Sequence, residues 1–171
     1  MGTAASRPGP CHVRCNDERL ALVGICQFRE FRGALASLYA SAFASDPSLA
    51  DDLSVGRRYS AARSAAVAGC GGGADGATSS EAQREYWRRQ ARDWLRADLA
   101  AWRGRLADDG APDRAEVQQQ LTRWRNEPNL AGLRDRAELA RLPADERQEC
   151  LSLWNEADGL LEPSRRAAGV P

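Results

Sequence analysis

The chain has 171 residues, enough for one domain with a buried core, and its 24 basic and 24 acidic residues give a formal net charge of zero. No overall field therefore draws it to nucleic acid or to an acidic membrane. Every basic residue is arginine and His12 is the only histidine, which excludes lysine-dependent Schiff-base and phosphate-clamping chemistry and any Ser-His-Asp or Cys-His pair inside the folded part.

Residues 1–16 carry turn and breaker residues without an apolar period and read as a disordered tail. Met1, Gly2 and Ser6 match a myristoylation pattern short enough to arise by chance. Cys11, His12 and Cys15 offer three zinc-ligating side chains but lack the usual spacing, and a fourth ligand would have to come from elsewhere, for instance Cys26. No metal and no cofactor is expected. Five cysteines at irregular spacing do not make a disulfide framework. No apolar run reaches the length of a membrane span or forms a secretory signal, so a cytoplasmic protein with no membrane partner is expected.

The spacing predicts a first helix over Asp17 to Phe31, with Leu20, Val23, Gly24, Phe28 and Phe31 on one side and Leu22, Ile25 and Cys26 on the other. Gly33 supplies a turn. A second helix, Ala34 to Ser45, shows Leu35, Leu38, Tyr39, Ala42 and Phe43 at helical spacing and stops at Asp46-Pro47. Ser48 is placed as N-cap of a third helix running to about Ala68, with Asp51 and Asp52 in its first turn and small residues at 61, 62, 65, 66 and 68. Gly69 ends it, and the glycine-rich stretch 69–80 reads as a flexible loop without the close of a phosphate-binding loop.

The fourth helix, Ser80 to Leu106, organises the chain. Trp87, Ala91, Trp94, Leu95, Trp102 and Leu106 share one side, and Arg89, Arg92, Arg96 and Arg103 share the other, expected to be solvated. Each tryptophan can remove about 150 to 250 Å² from water, so the remaining helices should pack on this stripe. One acid, Asp98, lies within it between Trp94 and Trp102. A lone buried carboxylate is costly, so Asp98 is expected either to pair with an arginine of a neighbouring helix or to face a groove.

Beyond the turn at 108–112, Asp113 and Glu116 have capping-box spacing over a helix carrying Val117, Leu121 and Trp124. Leu130 and Leu133 anchor the next loop, and Asp135 and Glu138 repeat the capping spacing over a short helix closed by Pro143. The last helix has Cys150, Leu153, Trp154, Ala157, Leu160 and Leu161 on one face and is stopped by Glu162-Pro163. With no strand pattern anywhere, the expected fold is all-α, built of antiparallel helix pairs.

Residues 16–47 fall into register with a tetratricopeptide repeat, having Tyr39, Ala42 and Asp46-Pro47 at its late positions, but Arg19 and Val23 where an aromatic residue and a glycine are expected. The run from Asp17 to Leu161 resembles the C-terminal repeat regions of large bacterial serine/threonine protein kinases, in the strings ERLALVGICQFRE, LYASAFASDPSLADDL, RRYSAARSAAVAG, WLRADLAAW, LAGLRD and LPADERQE. The resemblance implies a short tetratricopeptide-like solenoid over 17–163. Its first repeat is 17–47 and its looser second is 48–107, interrupted by the glycine-rich 69–80; C-terminal helices at 113–162 cap it and 164–171 form a tail. In those relatives the third helix tends to read Tyr-Asn-Ala-Ala-Cys, where this chain has Tyr59-Ser60-Ala61-Ala62-Arg63. Serine is shorter than the asparagine that holds a ligand in many such domains, leaving Arg57, Arg58 and Arg63 to act electrostatically.

The function so implied is a non-catalytic scaffold that binds a protein or peptide segment along its concave side, with Arg57, Arg58, Ser60, Arg63 and Asp98 as candidate partner-binding residues. None of the kinase glycine loop, nucleotide lysine or catalytic-loop motifs is present, so no catalytic residue is expected. The apolar residues of the first helix that face upstream point to a terminal piece of a longer solenoid, or to self-association over Leu22 and Ile25. The alternative function is a nucleic-acid-binding helical domain using the arginine face of the fourth helix.

Overall fold

The computed structural model describes residues 16–107 and 114–167, with the side chains of Phe28 and of 162–167 left aside. Residues 1–15, including the cysteine and histidine cluster, the Asp113 cap and residues 168–171 lie outside the described residues. The helices are α1 (Asn16–Phe28), α2 (Arg32–Ser45), α3 (Ser48–Asp51), α4 (Arg57–Gly69), α5 (Glu81–Ala107), α6 (Arg114–Arg125), α7 (Arg136–Leu139) and α8 (Ala144–Ala167), with 3-10 turns at Gly76–Thr78 and Pro128–Leu133. Among the described residues there is no strand, and the chain is all-α.

The turn between α1 and α2 falls at Glu30, which adopts a left-handed φ of 57°, and not at Gly33. Gly33 lies inside the first turn of α2 because Asp75 needs the space. A Cβ there would meet Asp75 Oδ2 at 3.1 Å, and that same oxygen accepts the Ala34 backbone N–H at 2.9 Å. Ala74 N–H donates to Glu30 O at 2.9 Å. The glycine-rich stretch, expected to be a flexible loop, is thus folded back to satisfy a helix start that would otherwise leave a bare donor.

The third helix is two helices. After Pro47, Asp46 Oδ1 accepts the Ser48 N–H and hydroxyl at 3.1 and 2.6 Å, so Asp46 and not Ser48 supplies the capping oxygen. Asp52 then takes the N–H groups of Ser54 and Val55 at 3.0 and 3.2 Å, and Gly56 turns left-handed at φ 64° before α4 starts. An aspartate bonding its backbone two residues on competes directly with helix, and here it wins.

Packing runs α1 on α2, α2 on α4 and α4 on α5, with α8 against both α5 and α6. The alanines of α4 allow this: Ala61, Ala62, Ala65 and Ala66 are all at most 1% exposed, so α4 is buried between α2, α5 and the 128–133 turn. On α5, Trp94 and Trp102 are buried as expected, whereas Trp87 is half-buried. Phe43 of α2 meets Trp94 edge-on with ring centres 5.8 Å apart. Tyr59 of α4 stacks on Trp124 of α6 at 5.5 Å. Trp154 of α8 donates its indole N–H to Leu133 O at 2.7 Å, and Leu130 and Leu133 are fully buried.

Ser80 and Gln83 form a reciprocal box at the start of α5: Ser80 N–H donates to Gln83 Oε1 at 2.9 Å and Gln83 N–H to Ser80 Oγ at 3.3 Å. The expected box at Asp135 does not form, because Asp135 Oδ1 takes Arg134 Nε at 2.9 Å instead. The last helix does not stop at Pro163; it runs to Ala167, so the proline removes one backbone donor without ending the element. On α1, Leu22 is half-buried and Ile25 is 59% exposed.

A close approach of two helices lies at the end of α4. A Cβ at Gly69 would sit 2.6 Å from Arg88 Cγ and 2.7 Å from the Arg88 backbone nitrogen. Gly69→Ala is expected to cost about 1 to 3 kcal/mol by forcing α4 from α5, read as a lower urea midpoint. An unchanged midpoint would mean that the helices can separate freely there.

Candidate functional site

Asp98 of α5 is 2% exposed, and Arg58 of α4, itself 7% exposed, donates to its Oδ1 from Nη1 at 3.1 Å. Arg58 Nη2 is held by Asp51 at the end of α3. The break between α3 and α4 therefore brings a second acid to the same guanidinium. Burial raises the Asp98 pKa and the charge and hydrogen bond of Arg58 oppose it, leaving it at about 7. The expected arginine pair forms, and the expected groove is present beside it. Arg58 itself, offered as a partner-binding residue, is buried against Asp98.

Asp98 also lies at the wall of a cleft of about 110 Å³ between the 53–56 turn, α4, α5 and α6. Ser60 and Arg63 face it from α4, Trp102 from α5, and Gln120, Arg123 and Trp124 from α6. Three of the five candidate residues, Ser60, Arg63 and Asp98, thus share one site. Arg57 does not line it, and Arg58 is committed behind it.

Arg63 is 2.8 Å from Glu127, which is 8% exposed and whose Oε1 caps the 128–133 turn by accepting Asn129 N–H at 3.2 Å. Tyr59 OH lies 3.5 Å from the other oxygen. Burial, then the charge of Glu127, pushes the Tyr59 hydroxyl up to about 12, so it stays protonated and serves as a donor. Arg123 is exposed, lies 5.9 Å over the Tyr59 ring and, among the described residues, has no ion-pair partner. Glu127 and Arg123 were not legible as site residues; the only local signal was an acid placed before Pro128.

The arginine face of α5 differs from expectation. Arg89 and Arg103 are exposed and Arg96 is half-buried, but Arg92 is 2% exposed and its neighbour Arg88 4%. Arg88 Nε and Nη2 donate to the two oxygens of Glu146 at 2.7 and 2.8 Å, and Nη1 donates to Gly69 O at 2.9 Å. Arg92 adds Nη1 to Glu146 at 3.2 Å and Nε to Glu149 at 3.0 Å. The face is a tie to α8, and these two cations are already neutralised.

The cleft can hold hydrogen-bonding and anionic groups. Its lining has one carboxylate, and the other acid near it, Glu127, is engaged by Arg63, so no pair of free acids is poised for hydrolysis. Among the described residues no group of acids, cysteines and histidines is arranged to hold a metal, and no helix is long and apolar enough to cross a membrane. No protein-family model, curated protein or solved structure matches the chain.

Proposed function

We propose that this chain is a non-catalytic interaction module of tetratricopeptide-like type, related to the C-terminal regions of bacterial serine/threonine kinases, that holds a segment of a partner protein. The observation that carries this reading is the cleft itself: Ser60, Arg63, Asp98, Gln120 and Arg123 arrive from three helices at one opening. Arg123 leaves positive charge at its mouth, which suits a peptide carrying a carboxylate. Ile25, at 59% exposure the most exposed large apolar side chain among the described residues, lies on the helix where a longer stack or a second copy would continue. The nucleic-acid reading is weakened by the burial of Arg88 and Arg92 against Glu146.

A displayed random-peptide library tests the proposal. Selected peptides should carry an acidic residue or a free C-terminus, and their affinity should fall about fivefold or more in Arg123→Gln, an exposed change that leaves the unfolding midpoint in place. Binders indifferent to Arg123→Gln and Ser60→Ala would remove the cleft from the function.

A further inference from the structure

A second concavity, of about 490 Å³, lies between α7 and the start of α8, away from the cleft. Its floor and walls are Leu139, Ala140 and Leu151, rimmed by Arg134, Arg136 and Arg147. Leu139 is buried, but Leu151 is 43% exposed, whereas Leu153 and Trp154 of the same helix are buried. The two walls repeat one pattern. Arg136 precedes Ala140, and Arg147 precedes Leu151, by four residues, so each presents a cation about one helical turn from an apolar spot.

The three arginines are not equivalent. Arg134 is consumed by the fold: Nη1 donates to Glu127 O at 2.9 Å and to Trp124 O at 3.3 Å, Nε bonds Asp135 at 2.9 Å, and the group lies 6.0 Å over Trp154. Arg136 and Arg147 have no ion-pair partner among the described residues. The acids near them are engaged elsewhere: Glu138 by Arg141 at 2.9 Å, Glu146 by Arg88 and Arg92, and Glu149 by Arg92. Asp145, exposed in the first turn of α8, pairs with neither. Two uncompensated cations therefore flank an apolar floor in a chain whose total charge is zero.

We propose that this groove docks a segment of a partner protein in which acidic residues stand one turn from aliphatic ones. Charge complementarity selects the acids, and the Leu139, Ala140 and Leu151 floor accepts the aliphatic side chains. The floor is only these three side chains, which suits one or two leucines and not a long acyl chain.

The probe is a fluorescently labelled synthetic peptide of glutamate and leucine with this spacing, beside a counterpart carrying glutamine for every glutamate. Anisotropy with the full chain should show binding of the acidic peptide that weakens with salt. It should weaken about fivefold in the double variant Arg136→Gln/Arg147→Gln and also in Leu151→Ser. Arg136 and Leu151 are exposed, and half-buried Arg147 has no ion-pair partner among the described residues, so the unfolding midpoints should stay close to the parent's. The part of the binding that Arg136→Gln/Arg147→Gln removes should persist in Arg123→Gln, which separates the groove from the cleft. Equal affinity for the glutamine peptide, no response to either variant, or no binding of the acidic peptide up to millimolar concentration would overturn the proposal. So would laurate binding at the same residues without the peptide, or self-association that Leu151→Ser abolishes.

Discussion

Glu146→Gln is expected to lower stability by about 3 to 5 kcal/mol, the usual loss when one partner of a buried ion pair is removed. That is a large fraction of the total stability of about 5 to 15 kcal/mol typical of such a domain. The reason is specific to the α5–α8 contact. Arg88 and Arg92 are 4% and 2% exposed, and Glu146 receives three of their hydrogen bonds, at 2.7, 2.8 and 3.2 Å. A neutral amide keeps one acceptor but returns two charges to an interior that no longer balances them. Glu81 and Glu149 remain, at 2.8 Å from Arg88 and 3.0 Å from Arg92, but both are largely exposed and screened by water.

The same site has a pH signature. Burial raises the Glu146 pKa, but the hydrogen bonds and charges of Arg88 and then Arg92 outweigh it and hold it below the ordinary value of 4.5. A depressed carboxyl contributes stability that is present above its unfolded pKa and is lost as the pH falls through the folded one. Chemical denaturation from pH 7 down to pH 3 should therefore show an acid-sensitive component in the parent that Glu146→Gln lacks. A variant within about 1 kcal/mol of the parent at pH 7 would show that the network is dispensable. Replacing all three residues with apolar ones, as Arg88→Met, Arg92→Met and Glu146→Leu, should recover most of the loss.

What was legible in the sequence follows from the range over which each signal acts. Helix existence, the tryptophan stripe and the anchoring of Leu130 and Leu133 are local periodicities, and they hold. Asp98 was legible because an acid inside an apolar stripe must find a cation or an opening. Arg92 was not, because its period assigned it to a solvated face, and its carboxylates lie 54 and 57 residues away. No local pattern carries that distance.

The glycine-rich stretch failed for the same reason. Asp75 answers a bare N–H 41 residues upstream, so a segment with every mark of a linker is held at the corner of α1 and α2. The break before α4 was nearer to hand. Asp52 with Ser54 and then Gly56 is a turn signature, but the apolar and alanine spacing on either side reads as one continuous helix. That break brings Asp51 to Arg58 and puts the 53–56 turn over the cleft, so the part of the site contributed by the turn is masked by the helical spacing on either side.

Arg58→Met should be as damaging as the loss of Glu146, and its pH dependence should have the opposite sign. With the guanidinium gone, Asp98 is left 2% exposed without a counter-charge, for an expected loss of about 3 to 5 kcal/mol at pH 8. In the parent, burial already outweighs Arg58 and sets the Asp98 pKa at about 7, against an ordinary value of 3.8. A carboxyl raised in the folded state contributes stability that is fully present below its unfolded pKa and is lost as the pH rises through the folded one. Removing Arg58 takes away the two influences that lower this pKa, so the variant should regain stability on acidification from pH 8 to pH 5. The second change Asp98→Asn should restore most of the loss at pH 8 and flatten that pH dependence. If the double variant were no more stable than Arg58→Met, the damage would come from lost packing around the arginine stem or from Asp51, and Asp98 would not be the charge that fixes α4 against α5.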